Sequence, residues 1–269
     1  MIRSRWPAAG TLALCSLALC IMSPVAARAQ QACVAPAEAM NLEHAPEHFR
    51  VRIAKGLPLK IVAIGSSSTF GAGASSPLAS YPSRLEAELK AKLPGLPVTV
   101  LNKGVNGEEA TEMLARFVAD VIEEAPDLVL WQVGSNSVLR DHPTPATLIH
   151  QGIEQLKANG TDVILVNPQY APRIIAKPGA EHAVDVITAT ARDEEVGLFD
   201  RFAVMRYWRD TEKLPFEQFV TTDGLHMNDW GYACVAKLLA DAILDGTKLP
   251  PATAAVPAAT ATATASLKR

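Results

Sequence analysis

Apolar positions along the chain follow two alternating periods. Nearly continuous aliphatic runs occur at Leu59–Ile64, Val98–Leu101, Leu128–Val133 and Val163–Val166, each followed by Gly or Asn. Runs of this kind suit strands covered on both faces, as in a parallel sheet. Between them the period lengthens. Tyr81, Leu85, Leu89 and Leu93 fall four apart on one stripe, with Glu86, Glu88 and Lys90 off it, which predicts a helix. Segments 108–124, 145–159 and 181–195 also read as helices, the second stopped by Asn159-Gly160, and a last helix runs from about Asp229 to Leu244. A short fifth strand is expected at Leu198-Phe199. The alternation predicts an α/β fold, a three-layer α/β/α sandwich around a central parallel sheet of about five strands.

The two ends depart from this pattern. Arg3 and Arg5 precede an apolar stretch from Pro7 to Met22, and Ala27-Arg28-Ala29 has the form of a leader-peptidase site. The apolar stretch is shorter than the ~20 residues of a membrane span, so residues 1–29 read as a secretory signal peptide. A lipoprotein signal ending at Cys20 would want a small residue where Leu19 stands. Residues 30–58 form an N-terminal extension and 59–246 the α/β domain. Residues 247–269, almost wholly Ala, Thr and Pro from Pro251 to Ala265, read as a disordered tail. The expected location is the periplasm or the exterior, with no stable membrane insertion once the leader is removed. Of four cysteines, Cys33 and Cys234 survive that cleavage. In an oxidising compartment they can pair, or stay as two separately buried thiols.

The remaining composition narrows the function classes. A chain of 269 residues, 49% hydrophobic and 20% charged, suffices for a single well-cored domain. The net charge of −3, with no polybasic run, argues against nucleic acid as a partner. No P-loop and no G-x-G-x-x-G follows the first strand, so no nucleotide cofactor is expected. His44 and His48 stand at a helical metal spacing but lack a third ligand nearby, and read as an exposed pair; no metal is expected. His142, His150 and His182 have no visible partners, and the pairs Glu108-Glu109 and Glu123-Glu124 read as charges on helix surfaces.

In open α/β sheets, ligands bind at the carboxyl ends of the strands. Three polar blocks stand there, Gly65-Ser66-Ser67-Ser68-Thr69-Phe70-Gly71, Asn102-Lys103-Gly104-Val105-Asn106-Gly107 and Gly134-Ser135-Asn136-Ser137, and a fourth, Asp223-Gly224-Leu225-His226-Met227-Asn228, stands ahead of the last helix. They hold the parts for acyl transfer. A serine supplies the nucleophile, His226 the base, Asp223 a group to orient it, and Gly107 and Asn136 donors for an oxyanion. Asp223 could instead cap the last helix.

These blocks resemble those of the SGNH hydrolases, the lipase and esterase family named for its GDS(L) nucleophile motif. The family pattern G-D-S-x-[ST]-x-G falls on Gly65 to Gly71 and makes Ser67 the nucleophile. N-x-G-x-x-G falls on Asn102 to Gly107, G-x-N-D on Gly134 to Ser137, and D-x-x-H on Asp223 to His226. The resemblance spans Leu59 to Leu244 and implies a flavodoxin-like sheet, a Ser67–His226–Asp223 triad, and oxyanion donors at Ser67, Gly107 and Asn136. Two family aspartates are absent. Ser66 and Ser137 stand in their places, so the bracing around the nucleophile is expected to be neutral.

The reading is therefore a secreted serine ester hydrolase without cofactor, acting on a small-molecule ester. Asn167-Pro168-Gln169-Tyr170 looks like the thioesterase and lysophospholipase branch, with Tyr170 lining an acyl groove. The alternatives are a carbohydrate O-acetyl esterase and, in another class, a non-catalytic carbohydrate- or lipid-binding protein that kept the fold.

Overall fold

A computed structural model describes residues 32–246. The expected leader at 1–29 and tail at 247–269 lie outside the described residues. Five strands, β1 (Leu59–Gly65), β2 (Val98–Gly104), β3 (Leu128–Gln132), β4 (Asp162–Val166) and β5 (Gly197–Phe199), form one sheet. Its order is β2-β1-β3-β4-β5 and every pair is parallel. The expected α/β sandwich is thus realised. The strand order reverses at β1, whose end is aligned with both neighbours: Gly65 pairs with Gly104 and Ile64 with Trp131. Such a reversal opens a crevice at the strand ends.

Side chains of a strand alternate between the two faces of the sheet, which splits each apolar run between two cores. Ile61, Ala63, Leu128, Leu130 and Ile164 pack with Leu85 and Leu89 of the Tyr81–Lys92 helix and with Val235 and Leu239 of the Asp229–Gly246 helix. Val62, Ile64, Val129, Trp131 and Leu165 face the opposite way. They meet Ile149 and Ile153 of the Ala146–Ala158 helix and Ile187 of the Ala180–Asp193 helix. Continuous hydrophobicity along β1 and β3 follows from this double coverage.

Three segments differ from the sequence reading. The helix expected over 108–124 is broken into Ala110–Ala115 and a wide π turn at Val118–Ile122. At the break, Arg116 adopts φ −115° and sends its guanidinium across the strand ends. There it donates to the Lys103 carbonyl at 2.8 Å and the Gly65 carbonyl at 3.4 Å, flanked by the Glu108 and Asp120 carboxylates. π-Bulges of this kind recur at functional sites. The helix over Arg201–Asp210 lies outside the sequence reading, because its buried face of Phe202, Met205 and Trp208 also includes the charged Arg201. Residues of the N-terminal extension form helices at Ala37–Met40 and Glu47–Ala54 and lie against the sheet domain. Phe49 is fully buried and its N–H donates to Asp162, while the Trp208 indole N–H donates to the Val34 carbonyl.

Cys33 and Cys234 form a disulfide with a Cα separation of 5.4 Å, fastening the extension to the last helix. Of the two fates open to these thiols, the fold adopts pairing. A bridge spanning 201 residues removes much conformational freedom from the unfolded chain. Replacing both cysteines by alanine is expected to lower the unfolding free energy by about 2–4 kcal/mol. A guanidinium titration should show the same downward shift of the midpoint for the wild type under reductant alone.

Candidate active site

At Gly65 the chain leaves β1 and turns into a single helical turn, Ser67–Phe70. Ser66 stands at its N-cap, and its carbonyl accepts from the Thr69 and Phe70 N–H groups. The turn settles directly on the end of β2. A Cβ at Gly104 would lie 2.1 Å from the Phe70 nitrogen, so that position admits only glycine. The contact fixes the height of Ser67 above the sheet edge.

The Asp223–His226 segment comes from the far end of the chain. Val220 and Met227 form an antiparallel bridge, and the Thr221 N–H donates to the His226 carbonyl at 2.8 Å. The residues between form a tight turn that points both functional groups one way. His226 Nε2 lies 2.9 Å from Ser67 Oγ, and His226 Nδ1 lies 2.5 Å from Asp223 Oδ2. Asp223 Oδ1 accepts from the Thr221 hydroxyl and from the Leu225 and His226 N–H groups at 2.7–2.9 Å. Asp223 does not cap the last helix, which begins at Asp229. Partial burial raises the Asp223 carboxyl, but the His226 ring, the His226 and Leu225 amides and the Thr221 hydroxyl outweigh it and hold the pKa far below the usual carboxylate range. An ionised carboxylate only accepts, so the His226 Nδ1 carries hydrogen, and in that tautomer of the imidazole Nε2 is the acceptor that faces the Ser67 hydroxyl.

The Ser67 and Gly107 backbone N–H groups donate to no described residue. Gly107 holds φ +82°, accessible to glycine at little cost, and its carbonyl accepts from Arg140 Nη2 at 2.8 Å. Asn136 Nδ2 donates to the Glu108 carbonyl at 2.8 Å, which ties the loop after β3 to the loop after β2 and leaves its second amide hydrogen free of that bond. Hydroxyl, imidazole and carboxylate are therefore joined in one hydrogen-bonded series, and the three amide donors stand on the segments that follow β1, β2 and β3. Such a set can move a proton from an alcohol to a base and receive negative charge beside it.

The bracing differs from the expectation in one place. At Ser66 it is neutral: both the N–H and the hydroxyl donate to Gln132 Oε1 at 2.9 Å. At Ser137 a carboxylate is present after all, because the hydroxyl donates to Glu109 Oε2 at 3.0 Å. Glu109 also binds Arg140 and His142 and forms a capping box with Glu112. Glu108 and Glu109 are consequently not helix-surface charges, and His142 is not without a partner. His150 likewise meets Glu194. His44 and His48 do not share a helix, since the helix starts at Glu47, and His48 lies 3.5 Å from Asp127. The Tyr170 ring packs against Phe202 and Phe216, half-buried in an aromatic cluster. Gln132, Glu109 and Arg116 escaped the sequence reading. Only Gln132 carried a signal, as the one amide inside the apolar run of β3.

The profile of the non-GDSL lipase-like family matches residues 32–249. The chain belongs to that family. It is an ester-bond hydrolase, and its relatives agree. An arylesterase of Vibrio mimicus is 25% identical over 188 residues, covering 69% of this chain and 88% of that protein. An acetylxylan esterase of Geobacillus stearothermophilus is 39% identical over 57 residues, 21% of this chain and 26% of its own length. A solved acetylxylan esterase structure from that organism superposes with TM-score 0.58 at 21% identity, covering 72% of this chain and 96% of that one. A two-domain esterase active on acetylated mannans superposes with TM-score 0.66 at 20% identity over 77% of this chain. The alignment spans 56% of that larger protein. At these identities the two superpositions speak for the fold.

The depressed Asp223 pKa makes a stability prediction with a definite sign. Its carboxylate stabilises the folded state above the ordinary aspartate pKa of ~3.9, and that contribution fades as pH falls toward the folded-state value. Denaturation midpoints of wild type and Asp223→Asn should differ near neutral pH and converge below about pH 4. A gap that stays constant into strong acid would contradict the assignment.

Proposed function

We propose that this hydrolase works through an acyl-enzyme on Ser67. The carrying observation is the unbroken hydrogen-bonded series Ser67–His226–Asp223, at 2.9 and 2.5 Å. Ser67 Oγ attacks the ester carbonyl as its proton passes to His226 Nε2. Asp223 keeps the Nδ1–H in place and stabilises the imidazolium that forms. The Ser67 and Gly107 N–H groups and the Asn136 amide hold the tetrahedral oxyanion. The imidazolium then protonates the departing alcohol. Water repeats the sequence, freeing the carboxylic acid and restoring Ser67.

For the substrate we infer an O-acetylated carbohydrate, the alternative to a thioester or lysophospholipid. The reading is supported by the 57-residue stretch that is 39% identical to an acetylxylan esterase. Aryl esters are the second reading, supported by the longer but weaker match to an arylesterase. The place of action we infer is outside the cytoplasm, where the Cys33–Cys234 bridge would persist.

Three measurements test this reading. Ser67→Ala should abolish turnover of p-nitrophenyl acetate and labelling by a fluorophosphonate while leaving the circular dichroism unchanged; residual turnover or labelling would move the nucleophile elsewhere. Asn136→Ala should lower kcat on the order of 10²–10³ with little change in KM. A chain-length series should favour C2 over C6 and longer acyl groups, with acetylated xylo- or manno-oligosaccharides hydrolysed faster than phenyl acetate. The opposite order would return the substrate to the lipid or aryl class.

A further inference from the structure

Beneath the Ser67 turn lies a cation that the triad does not use. Arg201, the first residue of its helix, is completely buried. Its guanidinium donates through Nη1 to Ser68 Oγ at 3.0 Å, through Nη2 to Gln169 Oε1 at 2.9 Å and through Nε to the Asn167 carbonyl at 3.1 Å. Every acceptor is neutral. No described carboxylate lies within ion-pair distance of it; Asp200 turns instead to Asn167 Nδ2 and the Ala203 N–H. The tyrosines Tyr81 and Tyr232 are the ionisable groups that face it, and burial raises both phenols, so they too are neutral. Burial lowers the guanidinium pKa to about 10, which leaves it charged at neutral pH.

An unpaired buried charge is costly to a fold, and an apolar side chain or a carboxylate partner would be cheaper. What this charge touches suggests its use. Ser68 follows Ser67 in the chain. Gln169, gripped by Arg201, reaches with Nε2 to the carbonyl of Leu225, which precedes His226, at 3.4 Å. Gln169 Oε1 also accepts from Ser135 Oγ at 2.8 Å, next to Asn136. One guanidinium thus reaches the sequence neighbours of the proposed nucleophile, base and amide donor.

The charge balance points the same way. At rest the triad carries one negative charge, on Asp223. In the tetrahedral intermediate a proton has moved from Ser67 to His226, and a full negative charge has appeared on the substrate oxygen at Ser67. The net charge is unchanged, but its negative pole has moved toward the turn that rests on Arg201.

We propose that Arg201 is a positioning residue which, by keeping its charge unpaired, both locks the Ser67 and His226 loops together and favours the anionic tetrahedral intermediate. The proposal rests on the acyl-enzyme reading above.

The test uses the full chain and four variants: Gln169→Glu, Gln169→Leu, Arg201→Lys and Arg201→Met. Gln169→Glu sets a carboxylate against the guanidinium in nearly the same shape. It should leave Tm equal or higher, lower kcat by about 10–100-fold, short of the loss of a direct oxyanion donor, and leave KM within about twofold. The inhibition constant of phenylboronic acid, which forms an anionic tetrahedral adduct on serine, should rise by the same factor as kcat falls. Gln169→Leu drops the donor to Leu225 without adding charge and should lose less kcat than Gln169→Glu. Arg201→Lys should keep more kcat than Arg201→Met; if the methionine variant fails to fold, the other three carry the comparison. Wild-type kcat and boronate affinity in Gln169→Glu, or losses that only track Tm across the series, would reduce Arg201 to a structural strut. Absence of turnover and of Ser67 labelling in the wild type would instead overturn the acyl-enzyme reading itself.

Discussion

The hydrogen bond between Ser67 Oγ and His226 Nε2 joins residues 159 positions apart, and it holds only while two separate pieces of backbone stay in register. One is the Ser67 turn, seated on Gly104 at the end of β2 so closely that a methyl group would not fit. The other is the Asp223–His226 turn, closed by the Val220–Met227 bridge and anchored through Tyr232, whose hydroxyl donates to the Ala72 carbonyl just past the Ser67 turn. Neither turn is rigid alone. Each is short, and its order comes from what it packs against.

How that order is maintained without the two aspartates of the SGNH pattern is chemically specific. Amide side chains do the work at Ser66, where Gln132 Oε1 receives the turn's N–H and hydroxyl together. Around Ser137 the negative charge is supplied from another loop, since Glu109 approaches from beyond β2 and is held by Arg140. Arg116 spans the carbonyls of Gly65 and Lys103 from a break in its own helix. Hydrogen bonds of ionised groups are the stronger ones, and around Ser137 and the ends of β1 and β2 they are supplied by Glu109 and Arg116. The floor of the site is built of hydroxyls and amides around one cation.

Much of this was readable from the order of residues. The strand runs, the helices over 81–92, 146–158 and 229–246 and the three polar blocks that end β1, β2 and β3 all follow from periodicity, because a side chain's face is set by its position along a strand or helix. What escaped was carried by charged residues in unusual places. The Arg201–Asp210 helix was hidden because its buried face includes an arginine, which periodicity counts as a surface residue. The break at Arg116 was hidden because the carbonyls its guanidinium meets there belong to β1 and β2, outside its own segment.

The chain by itself determined which chemistry is available: a serine, a flexible glycine and an asparagine just beyond strands, and a histidine with an aspartate three residues before it ahead of the last helix. Those are local facts, set by spacing and, for all but the Asp223–His226 pair ahead of the last helix, by the rule that loops follow strands. Tertiary structure alone decided which partners those groups meet. It paired Cys33 with Cys234, turned Tyr170 into an aromatic cluster and gave Ser137 the carboxylate of Glu109. It also buried Arg201 without a counter-charge. Hydrogen bonds and desolvation depend on distances of a few ångströms between segments far apart in the chain, and no periodicity encodes those distances.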